Sequence, residues 1–176
     1  KGGYRRLVRL TILDTVIQQL LLDTLTPICE DSFSDSSYAY RPGRGVSGAL
    51  SRYIALSGTY SFAAKLDFTA CFDNIDHSIL ETALHRFFDD PRLISLLIQY
   101  IRLRVSEDNE ISVPEKGILQ GMPLAPLFCN IYMDSADRFM EEKSIPFIRY
   151  GDDIVLFGKT PEEISASRDA VCAFIE

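Results

Sequence analysis

Apolar and polar positions change period several times along the 176 residues, and each change marks an element. Tyr4 to Leu10 alternates basic and apolar residues, which predicts a strand with an arginine-bearing face. Thr11 or Asp14 can then cap a helix to about Ile28, with Val16, Ile17, Leu20, Leu21 and Leu25 as its apolar side and Pro27 near its end. A Ser-rich loop, Asp31 to Ser37, leads into the turn-rich segment Ser37 to Gly45, and a helix is expected from about Val46 to Leu56. Tyr60 to Asp67 reads as a strand entering the core, with Phe62, Ala63, Ala64 and Leu66 apolar and Asp67 at its C-terminal end.

Asp76 is expected to cap a helix through about Phe88, and Pro91 to start another running to about Leu103. Arg104 to Leu119 holds the acidic turn Glu107-Asp108-Asn109-Glu110 between short β-like pieces, which predicts a hairpin or a hydrophilic excursion. Pro123, at a first-turn position, opens a long helix to about Glu142. Two β-prone runs then flank Gly151-Asp152-Asp153, which predicts a hairpin whose tight turn carries two adjacent carboxylates. Thr160-Pro161-Glu162-Glu163 supplies a cap, a proline at the first helical position and an acidic first turn. No repeat or low-complexity linker is present, and the element order predicts an α+β sheet with helices packed on one face.

An apolar fraction of 47% and a charged fraction of 24% are those of a soluble globular protein of about one domain. No apolar run approaches the roughly 20 residues of a membrane span, and no cleavable signal begins the chain, so a cytoplasmic location without membrane contact is expected. Cys29, Cys71, Cys129 and Cys172 are widely spaced in apolar surroundings and read as reduced core residues. The net charge of −7 is the wrong sign for binding a polyanion. However, Lys1, Arg5, Arg6, Arg9, Arg41, Arg44 and Arg52 place seven of the eighteen basic residues in the first 52 positions, so a polyanion is expected to meet that part. The start at Lys1 without Met, and the stop at Glu176 inside an apparent helix, suggest that both ends continue in a longer protein.

Two like charges side by side between hydrophobic strands cost several kcal/mol unless compensated, so Asp152 and Asp153 ask for a bound divalent cation. The plain alternative is an Asp-rich surface turn. Asp67 supplies a second acidic strand end about 85 residues upstream. If its strand lies beside the hairpin, three carboxylates converge in the way needed to hold two Mg²⁺ ions about 4 Å apart for phosphoryl transfer.

At these residues the chain resembles reverse transcriptases. AKLDFTACFDNIDHSIL (Ala64 to Leu80) is similar to their first catalytic motif, GILQGMPLAPLFCNIYMDSAD (Gly117 to Asp137) to the second and RYGDDIVLF (Arg149 to Phe157) to the third. SYAYRPGRG (Ser37 to Gly45) and the helix bearing Ile12-Leu13-Asp14 and Gln18-Gln19 resemble the fingers region of the bacterial group II intron type. The resemblance implies a polymerase palm, an antiparallel sheet with helices on one face, plus mostly helical fingers, without a thumb. Residues 1–57 would be fingers-like and 58–176 the palm core, with 91–119 a candidate insertion.

By the same resemblance Asp67 and Asp152 are the main metal ligands, with Asp153 a weaker member and the backbone of Phe68 alongside. The ions would be two Mg²⁺, with Mn²⁺ as the alternative. Backbone groups from Phe68 to Cys71 would lie along the triphosphate; Gln120 and Gly121 would line the nucleotide pocket, and Pro123 would fix the turn beside the template. Arg5, Arg6 or Arg9 would neutralise the triphosphate, and Arg41 and Arg44 would meet nucleic acid. The implied reaction is RNA-directed DNA synthesis from dNTPs on an RNA template with a DNA or RNA primer, with the enzyme's own intron RNA as a further partner.

Phe72, five residues after Asp67, decides the product. RNA-dependent RNA polymerases usually carry an acid there for the ribose 2′-OH, whereas an aromatic ring excludes that hydroxyl and supplies no acceptor. Phe72 as plain core is the alternative reading. The competing functions are an RNA-dependent RNA polymerase, a catalytically idle RNA-binding or assembly module, and an unrelated metal phosphatase or nuclease, for which His77 is the only nearby histidine. Two departures from the intron type stand out: Leu10-Thr11 where Ile-Pro is common, and Gly151 where Ala is common, a change expected to be sterically tolerated.

Overall fold

The computed structural model describes residues 8–68, 70–107 and 110–175. In chain order the elements are α1 (Ile12–Glu30), α2 (Val46–Ser57), β1 (Phe62–Asp67), α3 (Cys71–Asn74), α4 (His77–Phe87) and α5 (Pro91–Ile101), then β2 (Val105–Glu107), β3 (Glu110–Ser112), α6 (Ala125–Glu142), β4 (Phe147–Tyr150), β5 (Asp153–Gly158) and α7 (Pro161–Ile175). They form two compact units, one of Lys1–Asp31 with Ala70–Tyr132 and the other of Ser32–Thr69 with Met133–Glu176. The fingers and palm division at 57/58 sorts the chain by motif, whereas these units sort it by packing.

In the first unit, Thr11 is the cap of α1: its hydroxyl oxygen accepts from the Asp14 N–H at 3.1 Å and donates to the Asp14 carboxylate at 2.6 Å. The buried positions of α1 are Gln18, Leu25 and Cys29, while Val16 and Leu20, expected on the inner side, are exposed. A fully buried glutamine marks the inner face here, which apolar periodicity does not reveal. Of the strand expected over Tyr4 to Leu10, Tyr4 to Leu7 lie outside the described residues, and Val8 to Leu10 have no strand pairing. The Val8 N–H instead donates to the Gln120 carbonyl at 2.9 Å.

Asp76 caps α4 by accepting from the Ser78 and Ile79 N–H groups, and Asp90 caps α5 by accepting from Arg92, with Pro91 at the first helical position. The inner face of α5 is Ile94, Leu97, Tyr100 and Ile101, one stripe at helical spacing, and α5 packs against α4. Strands β2 and β3 pair as an antiparallel hairpin. Helix α6 begins at Ala125, two residues later than expected. Pro123 ends the preceding loop, and Pro126 takes the first turn, where its missing N–H would have had no helical partner anyway.

The second unit is built on a three-stranded antiparallel sheet in the order β1-β5-β4. As the central strand, β5 buries Ile154, Leu156 and Phe157. As an edge strand, β1 buries only Leu66, and Phe62 is 41% exposed, so this strand does not enter the core as its composition suggested. The Tyr150–Asp153 pair closes the β4-β5 hairpin over a two-residue turn, Gly151-Asp152, with Gly151 at φ +68°. Leu56 of α2 joins Ile148 and Phe157 in one cluster, with Tyr38, Ala49, Tyr60 and Val155 packed around it. Helix α7 lies against β1 and β5; Thr160 accepts from the Glu163 N–H, and the Glu163 carboxylate accepts from the Lys159 N–H, a capping box shifted by one residue. The four cysteines are free thiols, and among the described residues no helix is long and apolar enough to cross a membrane.

The hydrogen bond from the Ser78 hydroxyl, then that from the Ile79 N–H, holds the Asp76 carboxyl below its ordinary 3.8. A folded value below the unfolded one stabilises the fold above about pH 4, and this contribution is lost as pH falls through the folded value. We expect Asp76→Asn to be less stable than the parent at pH 7 and to converge on it toward pH 3. Urea denaturation across that range checks this; a constant offset at every pH would remove the charged cap as the cause.

Candidate functional site

The acidic residues meet at one end of the sheet. Asp67, the last residue of β1, stands directly opposite Asp153, the first residue of β5. Residues opposite one another in an antiparallel pair share a face with Cβ atoms about 4.5–5.5 Å apart. Asp152 is the neighbouring turn residue, and Lys65, two positions before Asp67, lies on the same face as Asp67. The Lys65 ammonium contacts Asp153 Oδ1 at 2.7 Å. The bond to Asp153, then that carboxylate's charge, raises the Lys65 pKa, and the charges of Asp67 and Asp152 add to it. One cation therefore feels all three carboxylates.

That arrangement suits a hard divalent ion in its chemistry, being made of carboxylate oxygens whose negative potential overlaps where a positive charge already sits. Among the described residues, no group of three or more His, Cys, Asp and Glu side chains closes into a coordination set. Convergence is thus reached at the level of strand register, with Asp153 drawn toward Lys65.

The expected nucleotide-pocket residues lie in the first unit. The Phe72 carbonyl accepts from the Ile118 N–H at 2.7 Å, the Ile75 carbonyl accepts from Gly117, and the Gln120 amide donates to Asp73 at 3.3 Å. The first and second motifs are thus laced together across α3, a four-residue helix that the sequence reading did not anticipate. Phe72 is half-buried. Gly121 has φ +103°, and a Cβ there would lie 2.9 Å from the Val8 carbonyl oxygen, a packing reason for glycine. His77 is buried with Nε2 donating to the Gly117 carbonyl at 2.7 Å, as befits the start of α4.

The arginines divide. Arg5 and Arg6 lie outside the described residues, and Arg9 is exposed. Arg41 is buried, donating to the Ser34 and Ser37 carbonyls and lying over the Phe33 ring, so it braces its own loop instead of presenting a cation to solvent. Arg44 pairs with Asp35 and lies over Tyr38; its hydrogen bond, then its charge, holds the Asp35 carboxyl below its ordinary range. Two residues were missed. Lys65 was legible as a basic residue two positions from Asp67 on a strand. Arg149 was not, since nothing local distinguishes a buried arginine from a solvated one.

The reverse transcriptase (RNA-dependent DNA polymerase) family model matches residues 1–176. The chain belongs to the reverse transcriptase family. It is 29% identical over 143 residues to the putative COX1/OXI3 intron 2 protein of Saccharomyces cerevisiae, covering 81% of this chain and 17% of that protein. It is also 29% identical over 152 residues to the group II intron-encoded protein LtrA of Lactococcus lactis subsp. cremoris, covering 86% of this chain and 25% of that one. The chain thus spans a quarter or less of the length of these relatives. Among solved structures, apo telomerase from Candida tropicalis, truncated from its C-terminal domain, shares the fold at a TM-score of 0.64 and 13% identity, over 89% of this chain and 36% of that one. Reverse transcriptases generally use divalent metal ions, and the Asp67, Asp152 and Asp153 carboxylates are the groups here whose chemistry fits one.

Two outcomes follow from this geometry. Lys65→Met should tighten Mn²⁺ binding several-fold at low salt, read by electron paramagnetic resonance of the free ion, because the competing ammonium is gone; weaker binding would show that Lys65 does not compete. Gly121→Ala should destabilise the fold by about 1–3 kcal/mol in urea titrations, since both its φ and the Val8 contact resist a side chain. An unchanged midpoint would mean the loop relaxes freely.

Proposed function

We propose that this chain is the core of an RNA-directed DNA polymerase that extends a DNA or RNA primer on an RNA template with dNTPs, borne by a group II intron or a related retroelement. The observation that carries the reading is the strand register that sets Asp67 opposite Asp153, with Asp152 next in the turn, in a chain that the family model matches throughout. Two Mg²⁺ ions, with Mn²⁺ as the alternative, would be held by Asp67 and Asp152 with Asp153 and the Phe68 backbone beside them; they would activate the primer 3′-hydroxyl and neutralise the leaving diphosphate.

The rest falls to the chain's own residues. The half-buried Phe72 ring excludes a ribose 2′-hydroxyl and offers it no acceptor. Gln120 and Gly121, tied to α3 and to Val8, fix the wall along which the nucleotide lies. Arg5, Arg6 or Arg9 would supply positive charge toward the triphosphate, and Pro123 would shape the template side. Residues 1–57 act as fingers and 58–176 as palm, with 91–119 as an insertion. The intron RNA is a further partner on this reading, supported by the names of the relatives.

Asp152→Asn in the intact protein should abolish Mg²⁺-dependent DNA synthesis on an RNA template while circular dichroism and melting stay near wild type, because neutralising one acid relieves repulsion. Wild-type synthesis rates would reject the metal role. A parent protein that binds RNA but makes no product would be the idle module. Phe72→Val should raise ribonucleotide incorporation roughly 10- to 100-fold relative to dNTPs; unchanged sugar discrimination would remove Phe72 from the gate, and a parent that prefers ribonucleotides would be an RNA polymerase.

A further inference from the structure

The polymerase reading assigns no task to Arg149, a fully buried charged residue of the second unit. Arg149, in β4, and Asp137, in α6, are both 0% exposed at the side chain and joined twice: Nε to Oδ1 at 2.7 Å and Nη2 to Oδ2 at 2.6 Å. Burial pushes the Asp137 carboxyl up, and Arg149 pulls it part-way back. Taking two ions out of water costs several kcal/mol each, and well-packed apolar residues often serve stability as well or better. Stability alone therefore does not explain the pair.

A further contact of the guanidinium does. Nη1 donates to the Gly151 carbonyl at 3.0 Å. That carbonyl belongs to the peptide joining Gly151 to Asp152, so the bond fixes the peptide plane that leads into the acidic turn. With two nitrogens locked onto Asp137, Nη1 has one direction to point, a consequence of the planar guanidinium that a lysine would not reproduce. The backbone of Arg149 is held too: its N–H donates to Ser36 and its carbonyl accepts from Tyr38, a short parallel bridge on the outer edge of β4. That segment carries Tyr40, a non-glycine residue at φ +61°, whose ring lies 3.5 Å from where a Gly151 Cβ would be. The turn is thus gripped by a buried guanidinium and by an aromatic ring.

We propose that Arg149, aimed by Asp137, is a positioning residue that sets the Gly151-Asp152 turn before a cation arrives. The proposal rests on the reading that Asp67 and Asp152 hold the catalytic metal, and it adds that their alignment depends on an ion pair that touches neither substrate nor metal. Groups that orient metal ligands from outside typically contribute 10- to 100-fold in metal affinity or activity.

The test removes the pair without stranding a buried charge. The double variant Arg149→Met/Asp137→Leu, in the intact protein, should melt within a few degrees of wild type, bind Mn²⁺ about tenfold more weakly by electron paramagnetic resonance, and lose about 10- to 100-fold in kcat with KM for dNTP within about threefold. Arg149→Lys keeps a buried cation beside Asp137 but not the aimed third bond, and should show the same split; it serves where the double variant does not fold. A folded variant with wild-type Mn²⁺ binding and kcat overturns the proposal, and so does a pair whose every replacement unfolds the protein, since it would then be a structural brace only. Wild-type protein assayed alongside separates the two readings: if it neither makes DNA nor binds Mn²⁺, the polymerase assignment fails, whereas if it does both and the variants match it, only the positioning role fails.

Discussion

Like-charge repulsion between Asp67 and Asp153 is the constraint that the second unit must overcome. Residues opposed in such a pair have Cβ atoms about 5 Å apart, so their carboxylates repel, with solvent at this exposed strand end screening part of the repulsion. Placing them in one register pair, with Asp152 next in line, requires a sheet that will not shear or fray at that end. A one-residue slip of β1 against β5 would send Asp67 to the opposite face. The register is set where burial is deepest, at Ile154, Leu156 and Phe157 of the central strand, and the edge strand β1 takes its position from that pairing.

The fold meets this constraint with supports that act on different parts of the hairpin. Leu56 of α2 packs with Ile148 and Phe157, so the strands are anchored a few residues from the turn. The turn itself is short because Gly151 takes a left-handed φ of +68°, which an alanine could adopt only with strain, although the 3.5 Å distance to the Tyr40 ring leaves room for its methyl group. Glycine at this position avoids that strain. The bidentate pair of Arg149 and Asp137 then limits how that less strained turn is oriented. The exposed contact between Lys65 and Asp153 is of another kind: with Lys65 59% exposed, solvent and salt screen it, and it yields readily to a competing cation.

What the sequence made legible was local. The caps at Thr11, Asp76 and Thr160 bond to groups two or three residues away, so their chemistry is written within one turn of chain. The β4-β5 hairpin was legible because alternation and a glycine turn agree. The inner face of α1 was not, because its centre is Gln18, whose two amide atoms are buried without a hydrogen-bond partner among the described residues, while apolar Val16 and Leu20 face outward. The edge status of β1 depends on which strand pairs with which, and composition does not encode that. Arg41 looked like a cation for nucleic acid, yet its carbonyl partners at Ser34 and Ser37 turn it inward. Arg149 and Asp137 stand 12 residues apart with a helix end between them, and their pairing emerges only when β4 docks.

On the proposed reading, a net charge of −7 sits awkwardly with a polyphosphate substrate and a nucleic-acid template until the location of the charge is considered. Several of the basic residues are engaged within the chain: Arg149 with Asp137, Arg138 with Asp134, Arg102 with Glu81, Arg44 with Asp35. An acidic corner is a poor phosphate site by itself. Divalent cations held among its carboxylates would invert the local sign, so that a place that repelled phosphate would attract it. On the proposed reading, overall acidity and a phosphate-bearing substrate are compatible because the cations, more than the arginines, mediate the encounter. The precision of the acidic turn then matters more than the total number of basic side chains.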